Sequence, residues 1–541
     1  MTDGTRVEWR DWSESAFAEA REAGKPVLLA LTATWCADCH EMDVETYAEP
    51  RIAANLNDGF VPVRVDVDRR PRVRERYNMG GFPSTVFLTP DGELLTGAGY
   101  LGPDGMRQVI DSVREMWDEK GTEAGRVPRA LAGEPTPAGE VTDAIEEHLA
   151  GQLESQFDEE HAGWGDGAKF PLPRTIEFAL KRDRDRAVRT LEAVLNNLYD
   201  DEVGGFYRYA RNRNWGSPHH AKLLDTNAAL VRTFANAYLY TGEDAYRRAA
   251  ERTVAYLVDA LWNGASFGNG QGPASGREYF LLDAEERAEE TGPRTDLTAY
   301  AGSNGVAVDA LLALHAYTDA DRPRTYATRA LSSLLDSFVD DGVVTHVEGG
   351  DEALLLDDQA RVLCSLTRAA QVIGPTYLDA ARDVADRTVD ALFDDGSFRD
   401  GPAAGVGLLD RPLRPLDGNV EMADALLDLA ALTGDDRYRE VAHDAVAAFA
   451  GAWDRIGVQV AGYGSVAGRL RRGTLTVDVG TDPGSDLHRA ALRVADHEKV
   501  VHPDADVEAD TAVVAIGDRS RSVATPDGLL SAVADLATPT E

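Results

Sequence analysis

Residues 35–40 read Trp-Cys-Ala-Asp-Cys-His. Two cysteines separated by two residues face one another when the chain turns into a helix between them. Free N–H groups and the positive end of the helix dipole at that turn favour a thiolate, pulling the first cysteine from about 8.5 toward 7 or below. Cys36 is expected to be the exposed nucleophile, and Cys39, one turn into the helix, the group that resolves a mixed disulfide. A zinc site would need further ligands, and no second Cys-x-x-Cys or His-x-x-x-His follows, so no metal is expected. Cys364, within an apolar helical pattern over 357–371, reads as a small core residue. No cofactor is expected either, because phosphate-cradling glycine motifs and His-Glu-x-x-His have no usable context in the chain.

The elements around the pair have the order that such chemistry requires. The apolar run 26–32 predicts a buried strand leading into the cysteines, 38–57 a helix, 60–66 and 84–89 further strands closed by Pro90-Asp91-Gly92, and 103–119 a last helix. This β-α-β-α-β-β-α order over 1–120 is thioredoxin-like. Gly80-Gly81-Phe82-Pro83 lies where that fold carries a cis-proline loop beside the cysteines, so Pro83 is expected to present the substrate backbone, and Trp35 and Phe82 to touch the substrate. Two departures from thioredoxin stand out. Ala30 takes the place of a buried acid, and Asp38 puts a like charge beside the thiolate, which predicts slower exchange.

A Gly-, Pro- and Ala-rich linker at 121–140 separates this segment from an almost wholly helical one at 141–455. Helix pairs recur there at variable spacing, each second helix opening on an aromatic such as Tyr246, Tyr326, Tyr377 or Tyr438. Five hairpins are countable, and a helix near 141–157 could complete a sixth, which argues for an (α/α)6 toroid of the six-hairpin glycosidase type. Residues 456–541 return to strands around a helix at 485–495, a small α/β C-terminal region.

The composition narrows the setting. The 541 residues carry a formal net charge of −38, with six Lys and 49 Arg among the basic residues, so nucleic acid and anionic lipid are excluded as partners. Dispersed acids with few lysines fit a halophilic, archaeal source, in which concentrated salt screens the surface. The amino terminus lacks an apolar secretory segment and no run is long enough to span a bilayer, so a cytoplasmic location is expected.

Several motifs together resemble the family of spermatogenesis-associated protein 20, a thioredoxin domain followed by an (α/α)6 barrel. The family's Cys-His-Trp-Cys-His-Val-Met is matched by Cys36 through Met42. Its Asn-x-x-Phe-Val-x-x-x-Val-Asp is matched by Asn57, Phe60, Val61, Val65 and Asp66, and its Gly-Gly-Trp-Pro by Gly80 through Pro83. In the barrel, Gly167-Ala168-Lys169-Phe170-Pro171 and Gly204-Gly205-Phe206-Tyr207-Arg208-Tyr209 are similar to family elements. The segment Pro218 through Ala228 matches another, with Ala221 replacing a family Glu and Asp225-Thr226 replacing Tyr-Asp. The resemblance implies a barrel like those that bind sugars at the mouth of the toroid. Acid–base groups for sugar chemistry are sought among His219, His220, Asp225, Asp357, Asp358 and Glu421, and His219 and Lys222, which lie in the family motif, are expected to bind substrate. The leading expectation is a thiol–disulfide oxidoreductase whose partners are protein disulfides and a thioredoxin-reductase-type electron donor. The barrel would bind a substrate, a partner or a small sugar-like ligand. The alternatives are a carbohydrate-active isomerase, epimerase or hydrolase with a regulatory thioredoxin domain, and a non-enzymatic binding protein.

Overall fold

A computed structural model describes residues 4–273 and 277–537. The chain forms two compact units: one runs to Pro135 and takes in Asp400–Leu413, and the other comprises Thr136–Arg399 and the chain from Arg414 onward.

The first unit is thioredoxin-like. Its sheet runs β2–β1–β3–β4, formed by β1 (Val27–Thr32), β2 (Val61–Asp66), β3 (Ser84–Leu88) and β4 (Leu94–Ala98). β1 is parallel to β2 and antiparallel to β3. Because β1 is central and covered on both faces, its first five residues are all buried and its sequence is continuously apolar rather than alternating. The helices are α1 (Glu14–Ala23), α2 (Ala37–Glu45), α3 (Pro50–Gly59), α4 (Pro71–Tyr77) and α5 (Pro103–Lys120). The single helix expected over 38–57 is therefore two. Pro50 cannot donate to the preceding turn and forces Glu49 to an extended conformation, where its carboxylate accepts from Ile52 N at 2.8 Å and caps α3.

The segment Asp400–Leu413 packs on α4 within this unit. Asp400 accepts from Arg76 Nη1 at 2.7 Å and Arg72 Nε at 3.3 Å, and Leu408 N donates to Tyr77 Oη at 3.0 Å. Gly92, at φ +83°, has no room for a side chain, since a Cβ there would stand 2.3 Å from Gly407 Cα.

The second unit is an (α/α)6 toroid. Six inner helices, α7 (Pro173–Arg182), α9 (Leu224–Thr241), α12 (Ala301–Thr318), α14 (Leu356–Val372), α16 (Leu416–Thr433) and α18 (Gly462–Arg472), pack each against the next, and α18 closes the ring on α7. Five carry the following outer helix as partner: α8 (Arg184–Leu198), α10 (Asp244–Tyr256), α13 (Asp321–Ser337), α15 (Leu378–Leu392) and α17 (Asp436–Ala447). The sixth pair is α18 with α6 (Asp143–Ser155), which joins the two ends of the helical segment. A short helix, α11 (Ala284–Glu289), lies in the long insert between α10 and α12. α18 lies beyond position 455, where the sequence reading ends the helices.

Inner and outer helices differ as their neighbours dictate. α13 meets the ring on one side and buries a stripe at Ala327, Ala330, Leu331 and Leu334, the spacing of one helical face. α12 has neighbours on three sides, so nearly its whole length, from Ala301 to Tyr317, is buried and no polar face remains. Gly305 lets it approach α14, because a Cβ there would stand 2.7 Å from Arg361 O.

A repeated polar contact fixes four of the six inner helices, α9, α12, α14 and α16, to the chain before them. The fourth residue of α9, Asn227, accepts from Phe206 N at 2.6 Å and donates to Phe206 O at 3.1 Å. Asn304 does the same to Phe267 (2.9 and 3.0 Å), and Asn419 to Phe398 (2.7 and 3.0 Å). Gln359 makes the longer version, accepting from Val344 N at 2.6 Å and donating to Gly342 O at 3.1 Å.

The C-terminal region repeats the wiring of the first unit's sheet. Val500–Pro503, Thr476–Val479, Ala512–Ile516 and Arg519–Val523 lie side by side in that order, the first pair parallel and the others antiparallel. It packs on the toroid through Gln371 of α14, whose side chain accepts from Val501 N at 3.1 Å and whose carbonyl meets His488 Nε2 at 2.8 Å.

Replacing Asn419 by Ala strands the buried N–H and C=O of Phe398, and the expected cost is about 2–4 kcal/mol. Urea unfolding followed by circular dichroism measures it. A loss below about 0.5 kcal/mol would show that the contact is not structural.

Candidate functional site

β1 ends at Thr32 and the chain turns at Thr34 and Trp35 before α2 begins, which puts Cys36 at the N-cap. Its sulfur accepts from Cys39 N at 3.1 Å, taking up one of the donors a helix start leaves open. Cys36 and Cys39 are joined as a disulfide, with sulfurs 2.04 Å apart. The Phe82–Pro83 peptide bond is cis, and β3 follows directly, Ser84 opposite Leu31 and Thr85 opposite Ala30. The Phe82 ring packs edge-on to Trp35 with centroids 5.8 Å apart, and Trp35 Nε1 donates to Asp68 at 2.7 Å. The structure thus brings Trp35, the cysteines, Phe82 and Pro83 together.

Sulfur exposure differs from expectation. Cys36 is only 4% exposed and Cys39 2%, so in the disulfide form the expected exposed sulfur lies just beneath the surface. The ring it forms with Cys39 draws it toward the helix axis, while the neighbouring Ala37, Asp38, Gly80 and Gly81 are exposed and make the rim. Asp38 is thus on the solvent side, where water screens its charge.

In the toroid the expected residues separate. Lys222 is buried and donates to Asp200 at 2.7 Å and to Gly204 O at 2.8 Å, with Arg287 on the same carboxylate. Burial pushes its ammonium down to about 8 even so. Lys169 makes the equivalent buried pair with Asp158 at 2.9 Å. Both lysines of the family motifs are therefore built into loops rather than lining a cavity. His219 stacks on Tyr209 at 5.2 Å and His220 on Phe280 at 4.2 Å. Asp358 is buried, accepting from Gly302 N at 2.9 Å and meeting His346 Nδ1 at 2.7 Å, and Asp357 lies against the first turn of α16 at Gly418. Only Asp225 and Glu421 of the proposed acid–base set line the axial cavity.

That cavity has two lobes of about 360 and 380 Å³ that share a wall containing Arg174, Arg232, Asp309, Arg361, Cys364 and Glu421. His497 and Glu498 of the C-terminal region contribute to the deeper lobe. Arg232 is held on both sides, bidentate to Glu177 (2.8 and 3.0 Å) and to Asp309 at 2.8 Å, and Arg368 donates to the other oxygen of Asp309 at 2.8 Å. These two arginines hold Asp309 down to about 2 despite its burial. Arg469 bridges Asp424 and Asp428, both at 2.5 Å. Burial and the nearby Asp424 push Asp428 above the usual carboxylate range, whereas Arg361 beside Glu421 holds that carboxyl below it against burial. Burial pushes the Cys364 thiol far up, so it stays protonated at neutral pH. Beyond Asp225 and Glu421, the ionic lining of this cavity is absent from the sequence-based candidates, although acids at helical spacing, such as Glu421-Asp424-Asp428 on α16, are its signal.

Comparison with known proteins bears on both units. The family model Thioredox_DsbH, described as a protein of unknown function, DUF255, matches residues 2–132. Human spermatogenesis-associated protein 20 is 30% identical over 296 residues, 47% of this chain and 37% of that protein. The chain is similar over about half its length to spermatogenesis-associated protein 20. It spans just over a third of the length of the curated relatives it matches. The thiol:disulfide interchange protein DsbD 1 of Pseudomonas aeruginosa is 35% identical over 98 residues, 16% of each chain. Among solved structures, a sugar epimerase from a ruminal bacterium aligns at 14% identity and a TM-score of 0.46, covering 56% of this chain and 84% of that one. The helix pairing described above, not that alignment, defines the toroid. Among the described residues, no helix of the chain is long and apolar enough to cross a membrane.

Burial, then the charges of Arg208 and Arg211, pull the His219 imidazole down to about 4. Its unfolded value is about 6.5, so between those limits the unfolded chain holds a proton that the folded chain lacks. This group therefore stabilises the fold above pH 6.5, and its contribution falls away as the pH drops toward 4. An NMR titration of the His219 ring should have its midpoint near 4; one near 6.5 would place the ring in water.

Proposed function

We propose that the first unit performs thiol–disulfide exchange, with Cys36 attacking, Cys39 resolving and Pro83 presenting the partner's backbone. The observation that carries this reading is the Cys36 sulfur at the N-cap of α2 beside a cis-proline loop, within disulfide reach of Cys39. The similarity to a thiol:disulfide interchange protein supports it.

In the reducing direction the Cys36 thiolate attacks one sulfur of a partner disulfide, forming a mixed disulfide and releasing the partner's other sulfur as a thiolate, which takes a proton from water. The Cys39 thiolate then attacks Cys36 and frees the second partner thiolate. Two electrons leave the cysteine pair, and the disulfide that remains must be reduced again by a dithiol donor such as a thioredoxin-reductase system. Phe82, half-buried beside the pair, would meet a partner chain, and the buried Trp35 backs its ring. A cytoplasmic, reducing setting would keep the pair ready to donate, and the partners are disulfide-bearing proteins.

A second reading, a carbohydrate-active isomerase or hydrolase in the toroid, is favoured by one observation: Asp428 is pushed up and Glu421 held down in the same cavity, the division of labour that acid–base catalysis uses. His219 and Lys222 would then act from the surrounding loops by positioning rather than by contact.

Insulin reduction with dithiothreitol as donor tests the main reading. The wild type should accelerate precipitation of the insulin B chain, and Cys36→Ser should lose at least about a hundredfold in rate. Cys39→Ser should accumulate a mixed disulfide with insulin that dithiothreitol releases on a non-reducing gel. Undiminished reduction by Cys36→Ser would overturn the assignment.

A further inference from the structure

We infer that the axial cavity of the toroid binds a small polyhydroxylated oxyanion, its carboxylate or phosphate held by Arg174 and Arg361 and its hydroxyls by the carboxylates of Glu421 and Asp424. The inference concerns the helical unit and rests on neither reading above.

The cavity's arginines fall into two classes. Arg232 and Arg469 are saturated, Arg232 with three charge-assisted hydrogen bonds to Glu177 and Asp309, and Arg469 with Asp424, Asp428 and Thr474. They brace the wall and have little left to offer a ligand. Arg174 and Arg361 each make a single side-chain contact: Arg174 Nη1 to Asp424 at 3.4 Å, and Arg361 Nε to Glu421 at 3.0 Å. Their side chains are 36% and 30% exposed, and both line both lobes. Among the described residues, both Nη groups of Arg361 and the Nη2 group of Arg174 have no acceptor, in a wall that lines both lobes. A guanidinium with its outer N–H groups free matches the fork of a carboxylate or phosphate.

The rest of the lining selects the body of the ligand. Glu421 and Asp424 each retain acceptor capacity beside the two arginines, which suits hydroxyl donors. Among the described lining residues the only rings besides proline are Phe170 and the His497 imidazole, which already packs on Tyr240, so an aromatic ligand would find little to stack on. Leu172 and Pro173 at the start of α7, Leu223, Asp225 and Thr226 at the start of α9 and Asp417 at the start of α16 all line the cavity, so the positive ends of three helix dipoles meet there. Asp225 and Asp417 partly offset that field, so the arginines carry the selection for charge. The volume of each lobe falls in the usual range for small-molecule sites.

Calorimetric titration of the full-length protein with D-gluconate, D-glucose 6-phosphate and the neutral D-sorbitol tests the inference. At least one anion should bind about tenfold or more tightly than sorbitol, and the gluconate and glucose 6-phosphate arms tell a carboxylate site from a phosphate site. Arg361→Gln and Arg174→Gln should each weaken that binding about tenfold, Arg361→Lys should weaken it less than Arg361→Gln, and Cys36→Ser should leave it unchanged. The inference is overturned if neither anion binds at millimolar concentration, if sorbitol binds as well as the anions, or if the glutamine variants, folded by circular dichroism, bind as the wild type does. Since the anion-to-sorbitol comparison needs no variant, it decides the matter even if an arginine substitution unfolds the chain.

Discussion

The chemistry of the first unit depends on one hydrogen bond, from the Cys39 amide to the Cys36 sulfur at the start of α2. A helix start leaves several N–H groups without partners, and a sulfur placed there meets them as a capping side chain would, more favourably as an anion than as a thiol. The sheet exists around that point. β1 delivers the chain to it, β3 begins opposite the end of β1 directly after Pro83, and the packed rings of Trp35 and Phe82 hold the two loops to one another. The same placement explains why the sulfurs are buried yet close to solvent: they lie inside the first turn, under a rim of exposed small and acidic residues.

In the toroid the dominant constraint is different. Six inner helices with little polar face enclose an axis that is lined by charge, and buried charges are tolerated only when paired and hydrogen-bonded. Most of them are: Glu177, Arg232, Asp309 and Arg368 form a continuous network across α7, α9, α12 and α14. Such a network ties neighbouring helices together, and removing one member would leave an uncompensated charge in the interior. The amide staples at the fourth residue of α9, α12, α14 and α16 solve a related problem at the ring's rim, where the incoming chain would otherwise bury unpaired N–H and C=O groups.

Much of this was legible in the residues and some was not. The cysteine pair, the strand before it and the Phe-Pro loop announce their places because each has a local cause: spacing, an apolar run, a proline. The toroid was legible from recurring helix pairs, including the part played by the helix near 141–157, which pairs with α18 to complete the sixth pair. The break at Pro50 was a local signal passed over in favour of continuous helical periodicity. The staples leave no periodic mark in the sequence, since Phe206 with Asn227 and Phe398 with Asn419 share a separation of 21 residues whereas Phe267 and Asn304 are 37 apart. The sugar-site expectation at His219 and Lys222 followed motif resemblance, and what the motif builds around Lys222 is a buried ion pair with Asp200. Pairing across 22 residues of loop has no periodic signature.

The most direct test of the N-cap placement is the pH dependence of iodoacetamide alkylation of the reduced protein, read at Cys36 by mass spectrometry. If the helix start governs the sulfur, with Asp38 offsetting it only weakly from the solvent side, the rate should rise through a single midpoint below the value of about 8.5 for an unperturbed cysteine, with Cys39 reacting far more slowly. A midpoint at or above 8.5, or equal reactivity of the two sulfurs, would contradict it.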